Sequence, residues 1–234
     1  MIFHLTSAFL MLPLIGMLLF TNHQESKTIQ AVAGKLLVSE SKMVNNIIHS
    51  WLERHIAAVK AIAELGRDHD FEPSEKLQAE LGQVNSLFPD LHTVFIGDDK
   101  ATSTAFFPPI NKRGEKTIGM NFGDRDWFKE LKSTLKPSIS DVFQSRATVF
   151  VPIFTISVPI VAEGKLSGFG LGVVNLDKMR NLLAQSTHSD NLIFTIVDRN
   201  QNIICSTTRE NPSLMPIKQK TGGQTLMLGK DVGL

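Results

Sequence analysis

From Thr21 to Arg67 the chain contains no proline, and only Gly34 and Gly66 interrupt it. Apolar residues recur there at helical spacing: Ile29, Val32 and Leu36, then Met43, Ile47 and Trp51, then Ile56, Val59 and Ile62. Polar groups such as Glu40-Ser41-Lys42 and Glu53-Arg54-His55 fill the positions between. That period specifies one long amphipathic α-helix. At 1.5 Å per residue it spans roughly 60–70 Å, too long for a small domain to bury along its whole length. One stripe is expected to pack on the domain and another on a second copy of the chain; the alternative is a plain core helix with a frayed start. The spacing of His49 and His55 keeps them off one face, which argues against a metal site.

Ahead of this helix, Met1 to Phe20 carries no Lys, Arg, Asp or Glu, and His4 is its one titratable side chain. Twenty helical residues reach about 30 Å, the thickness of a bilayer core. Pro13 and Gly16 are tolerated in such a helix. A cleaved signal peptide would need a basic start, which is missing, and the best cleavage site, Ala31-Val32-Ala33, lies well past the apolar run. An uncleaved transmembrane helix over residues 1–20 is the reading, followed by a stalk over 21–67. Lys27 and Lys35 after the span would by charge alone lean the C-terminal side inward.

The 234 residues leave room for one large or two small domains, and with a net charge of +1 and no basic run nothing suggests a nucleic-acid surface. The single Cys205 rules out an intrachain disulfide and a multi-cysteine zinc site, and reads as a small buried residue. Tyrosine is absent.

Asp68-His69-Asp70 precedes a loop and reads as solvated charge, not as metal ligands. Ser74 is placed to cap a helix running to Phe88. An antiparallel β region follows: Leu91–Ile96, a turn at Gly97-Asp98-Asp99-Lys100, and a return over Ala101–Phe107. Residues 108–123 form a long loop, and loops of that length are often functional. A short helix spans Asp126 to Lys132. Strands are expected over Ser138–Gln144, Thr148–Val161 and Leu166–Leu176, with Pro152 and Pro159 marking ends or an edge, then a helix over Asp177–Ala184. Gly168-Phe169-Gly170-Leu171-Gly172 lacks the later glycine of a dinucleotide loop and opens no helix, so it reads as a central strand packed close to another element. After Ser189 the strand, Asp-rich turn, strand pattern begins again (Leu192–Val197, Asp198–Asn202, Ile203–Thr207). This second unit stops at Leu234 before its counterpart elements, which suggests a fragment or truncated product. The fold class is α+β, with a PAS-like antiparallel module over 68–188 and the start of a second over 189–234.

Chemistry concentrates at Gly123-Asp124-Arg125-Asp126-Trp127-Phe128. A guanidinium is a fixed fork of donors suited to a carboxylate or another planar acceptor. Neighbouring aromatics can wall a small pocket, and a helix N-terminus adds free backbone donors. The competing account makes Trp127 and Phe128 core anchors and pairs Arg125 with Asp124 or Asp126.

The order of these parts resembles the double Cache family, the tandem PAS-like sensor domains of bacterial transmembrane receptors. The likeness rests on Asp124–Phe128, on Ile139-Ser140-Asp141-Val142-Phe143 through Ser157-Val158-Pro159, on Gly172-Val173-Val174-Asn175-Leu176-Asp177, and on Thr195-Ile196-Val197-Asp198-Arg199-Asn200. It implies an extracytoplasmic sensor at the cell inner membrane, anchored by the N-terminal helix and dimerised through the stalk. Family members that bind amino acids hold the carboxylate with an arginine and a tryptophan on the short helix, and the amine with tyrosines and an aspartate. The resemblance therefore implies Arg125, Trp127 and Phe128 on the carboxylate side. On the amine side Met120 and Phe143 stand where tyrosines are usual, and Asn175 near the usual aspartate. An ammonium wants a carboxylate and hydroxyl acceptors. This departure counts against an α-amino acid and favours an organic acid or a planar nucleobase-like ring. The alternative for Asn175 is a strand-end residue bonded to backbone. No metal, cofactor or catalytic residue is expected: nucleophile elbow, phosphate loop and zinc-spaced histidines are all missing. A ligand-sensing receptor region is thus the leading function, with a structural or protein-interaction module as alternative and an extracytoplasmic enzyme below both.

Overall fold

The computed structural model describes residues 2–147, 151–187 and 192–217, without the side chains of residues 2–16 and of a few positions up to residue 30. The chain divides into two compact units, Met1–Val44 and Asn45–Leu234. One helix, α1 (Ile2–Asp68), runs through the first and into the second. In the first unit Ile29, Val32 and Leu36 are exposed, so the apolar stripe read from the sequence faces solvent there. Among the described residues no helix is long and apolar enough to cross a membrane. The expected span over residues 1–20 has helical backbone from Ile2, but its side chains lie mostly outside the described residues.

In the second unit the buried stripe of α1 is Ile48, Trp51, His55, Ala58, Val59, Ile62, Ala63 and Gly66. His55, read as a solvated position, instead lies on this stripe, while Ile56 is only half-buried. The reason is register: Trp51, His55 and Val59 are four apart and share one face. The His55 Nδ1 donates to the Trp51 carbonyl at 2.7 Å, and the two rings stack with centroids 3.8 Å apart. Helix α2 (Glu75–Leu87) is capped by Ser74, whose hydroxyl accepts from the Leu77 N–H at 3.0 Å.

The sheet is antiparallel with five strands: β1 (Leu91–Asp98), β2 (Ser103–Phe107), β3 (Ser138–Ile139), β6 (Thr155–Ala162) and β7 (Lys165–Val174) in the order β2-β1-β7-β6-β3. Before β3 comes helix α3 (Asp126–Thr134), and between β3 and β6 lies a small hairpin, β4 (Phe143–Gln144) with β5 (Pro152–Ile153). The expected strands 138–144 and 148–161 are thus each broken in two, and residues 148–150 lie outside the described residues. Pro159 sits in β6 beyond the point where β3 stops pairing, where its missing N–H costs no ladder bond. The edge strand β2 is closed from the side by Gln78 of α2, whose amide donates to the Phe106 carbonyl at 2.8 Å and accepts from the Phe106 N–H at 2.9 Å, which blunts an otherwise open edge.

Strand β7 is central, and its alternation divides the unit. Its glycines face α1, where a Cβ on Gly170 would stand 2.7 Å from the Val59 carbonyl oxygen and 2.6 Å from the Ala63 nitrogen. Phe169, Leu171 and Val173 point to the other face. Helix α4 (Leu176–Gln185) follows, and then the hairpin β8 (Thr195–Val197) and β9 (Ile203–Ser206).

That last hairpin repeats the first at the level of single bonds. The Asp98 carboxylate accepts from the N–H groups of Lys100 and Thr102; Asp198 accepts from those of Asn200 and Asn202. Ala101 (φ 67°) and Gln201 (φ 64°) hold the same left-handed corner. The second turn docks on the first sheet's surroundings. Arg199 makes a bidentate pair with Glu130 of α3 at 2.9 and 3.1 Å and donates from Nε to Asp141 at 3.1 Å. Asp198 accepts from the Val142 N–H at 3.2 Å. Cys205 is fully buried, and burial pushes its thiol up to about 12.

Candidate functional site

The face of the sheet away from α1 carries an aromatic cluster and, beside it, a cavity. Strands β1, β7 and β6 supply its floor: Thr93 and Thr155 are both register partners of Val173, so two hydroxyl residues flank one valine across three strands. Phe95, Phe106, Phe122 and Trp127 form an aromatic wall, with Phe95 stacked on Phe106 at 4.8 Å and on Phe122 at 4.9 Å. The β4–β5 hairpin forms the opposite wall through Phe143 and Ile153. The cavity measures about 30 Å³ as space for the centres of water-sized molecules; a single water needs about 10–15 Å³ by that measure, so it holds only a few small atoms' width of ligand.

Arg125 stands at the start of α3 with extended backbone (φ −75°, ψ 138°) and makes no side-chain capping bond. A guanidinium cannot accept, so it cannot cap the helix; its positive charge also opposes the helix dipole at this end. Its side chain lines the cavity and lies over the Phe143 ring, 5.4 Å from the centroid. Among the described residues no carboxylate forms a salt bridge with Arg125. Its neighbours are committed elsewhere: Asp124 binds Arg146 through two bonds of 2.6 Å, and Asp126 takes Lys129 at 2.9 Å. Burial, and then the nearby Arg146 cation, lower the Arg125 pKa against the pull of Asp124 and Asp126. The Arg146 bonds hold the Asp124 carboxyl below its usual range.

Of the six residues singled out from the sequence, Arg125, Trp127 and Phe143 meet at the cavity. The other three do not. Phe128 is packed behind Trp127 against Phe169, with centroids 5.6 Å apart, because one residue further along a helix rotates its ring into the core. Met120 lies against the core cluster from the long loop, and its carbonyl accepts from the Ser103 N–H at 2.9 Å. Asn175 caps α4, accepting from the N–H groups of Asp177 at 3.0 Å and Lys178 at 3.3 Å. The pairing of Arg125 with Asp124 or Asp126 is likewise not what forms.

Sequence reasoning missed Arg146, the aromatic wall of Phe95, Phe106 and Phe122, and the two threonines. Thr93 and Phe95 alternate along one strand, a signal that was present; Arg146 falls between two short strands with no local pattern. Thr155 is 2 % exposed, and its hydroxyl has no hydrogen-bond partner among the described residues. No Asp or Glu lines the cavity among the described residues, and no group of three or more His, Cys, Asp or Glu there could hold a metal.

No family model matches this sequence, and no curated protein matches it. Solved structures do. The ligand-binding domain of the Pseudomonas aeruginosa PAO1 amino-acid chemoreceptor PctB, in complex with L-Gln, superposes with a TM-score of 0.59 at 18% identity, covering 75% of this chain and 70% of that one. The ligand-binding domain of the Pseudomonas fluorescens chemoreceptor CtaA with L-isoleucine gives 0.57 at 17% identity, covering 73% and 66%. The P. aeruginosa PAO1 amino-acid chemoreceptor PctC domain with GABA gives 0.51 at 19%, covering 71% and 72%. The chain therefore has the fold of these receptor ligand-binding domains, as the resemblance to the double Cache family implies.

Proposed function

We infer that this chain is the extracytoplasmic ligand-sensing region of a bacterial transmembrane receptor, and that it binds a small carboxylate in the cavity beside Arg125. The observation that carries the reading is a half-buried guanidinium, without a carboxylate partner among the described residues, turned over an aromatic recess at the one helix end where a cation is least stable. The fold supports it: L-Gln, L-isoleucine and GABA, the ligands in the three similar domains, all carry a carboxylate. Arg125, Trp127 and Phe143 are its contacts.

Residues 1–20 act as the membrane anchor, on the strength of their uncharged sequence. Residues 21–67 form the dimer contact, for which the exposed Ile29, Val32 and Leu36 stripe is the support. Residues 68–188 are the membrane-distal module, and 189–234 begin a membrane-proximal one, whose first hairpin repeats the Asp98 turn. Such a region would serve a chemoreceptor, a sensor histidine kinase or a diguanylate cyclase. The alternative, an interaction module without a ligand, has the small size of the cavity in its favour.

The test is thermal melting of the full chain in detergent against a panel of organic acids, amino acids and nucleobases. A true ligand at a hundred times its Kd raises stability by about 2.7 kcal/mol. Arg125→Ala should abolish that shift. No shift from any member of the panel would support the interaction module instead.

A further inference from the structure

We propose that the cavity is selective for a short monocarboxylate bearing one neutral oxygen function, a hydroxyl or an oxo group, and that Thr155 is the residue that reads that oxygen. The proposal rests on the sensor reading above and narrows its ligand.

Three observations lead to it. The first is charge. Arg125 and Arg146 are the ionised side chains at the cavity among the described residues, and no carboxylate joins them there. Asp124, which pairs with Arg146, is 63% exposed and does not line the cavity. One anionic group on the ligand answers the Arg125 cation. An ammonium would enter beside two cations with nothing to neutralise it, and burying an unpaired charge is costly. A second carboxylate at the floor would face threonine and aliphatic groups and would be equally uncompensated.

The second observation is the Thr155 hydroxyl, which is buried, lines the cavity and lacks a partner among the described residues. The backbone of Thr155 is already satisfied: its N–H donates to the Ser140 hydroxyl at 3.0 Å, and its carbonyl accepts from the Ser140 N–H at 3.0 Å. Only the side chain is left over. A hydroxyl both donates and accepts, so it can take a ligand hydroxyl or an oxo oxygen equally well. A buried polar group without a partner is rare enough to require an explanation, and a ligand oxygen is one.

The third observation is size. A cavity of about 30 Å³ by the water-centre measure suits a molecule with a two- or three-carbon frame, not the side chain of glutamine or isoleucine. Selectivity would thus differ from that of the amino-acid receptors whose fold it shares.

The experiment is calorimetric titration of the full chain in detergent with molecules matched in size: L-lactate, pyruvate, propionate and L-alanine, with glycolate and glycine as a shorter pair. Lactate or pyruvate should bind at least about tenfold more tightly than propionate, the scale of one buried hydrogen bond, and more tightly still than alanine. In Thr155→Val the ratio of lactate to propionate affinity should fall to about one. Alanine binding as well as lactate would overturn this selectivity and leave the sensor reading standing. Equal binding of lactate and propionate by the wild type would overturn the role of Thr155 whether or not the variant folds. Absence of binding by every compound would overturn the proposal, and the sensor reading would then be decided by the wider melting panel.

Discussion

At the residue scale, Arg125 is where stability and function pull in opposite directions. It holds the capping position of α3 without being able to cap, and it is partly desolvated near a second cation. Replacing it with serine supplies an oxygen that can accept from the first turn, and it removes a charge that opposes the helix dipole. Arg125→Ser is therefore expected to raise the melting temperature of the ligand-free chain, by about 1 kcal/mol or roughly 2–4 °C, while removing the response to carboxylates. Loss of stability in this variant would mean that Arg125 is a structural residue. Its position was legible in the sequence because an arginine and two aromatics stand together at the start of a short helix. The fates of Phe128 and Asn175 were less legible. Phe128 sits one step past Trp127 and Asn175 one step past the end of β7, and a single step decides whether a side chain meets the cavity, the core or a helix cap.

At the scale of elements, two contacts hold the second unit in register. One is the close approach of β7 to α1 at Gly170. A methyl group there would meet helix backbone, which cannot rotate away, so Gly170→Ala should cost about 1–3 kcal/mol by overpacking, visible as a lower midpoint in chemical unfolding. An unchanged midpoint would mean that the helix and sheet can separate without penalty. The glycine spacing along this strand did announce close packing, although not which element would pack there. The second contact is the Arg199 fork on Glu130 and Asp141, which raises the Arg199 pKa through the Glu130 hydrogen bonds against a smaller effect of burial. With Arg199 59% exposed, solvent screening limits the worth of the network to about 1 kcal/mol. Arg199→Ala should speed hydrogen exchange in β8 and β9 much more than in β7; equal protection in both proteins would show that the fork carries no weight. The strands around residue 145 were the least legible stretch. Polar Gln144, Ser145 and Arg146 carry no glycine or proline turn signal, and it is the pairing of Phe143-Gln144 with Pro152-Ile153 that makes the β4–β5 hairpin.

At the scale of the whole molecule, pH should act through buried imidazole. Burial lowers the His55 pKa below its ordinary 6.5, outweighing the Trp51 carbonyl and Asp90. Burial also lowers His92, with Lys112 adding to it. The unfolded chain then takes up these protons before the folded one does. Stability is full above about 6.5 and declines as pH falls below it towards the depressed folded-state values. The melting temperature should drop between pH 7 and pH 5, and His55→Gln should flatten part of that slope; parallel curves for the two proteins would contradict the assignment. The α+β class, the long helix and the repeated Asp-rich turn could all be read from periodicity and turn residues, whereas the cavity is assembled from six separate segments that no local pattern links. The central claim, that a small carboxylate meets Arg125 inside the aromatic recess, is tested most directly by nitrogen-15 NMR of the arginine side chains. The Arg125 Nε–H signal would be identified by its loss in Arg125→Lys and followed as pyruvate or lactate is added. It is predicted to move with saturation while the Arg199 signal stays in place; binding that leaves the Arg125 signal unmoved would contradict the claim.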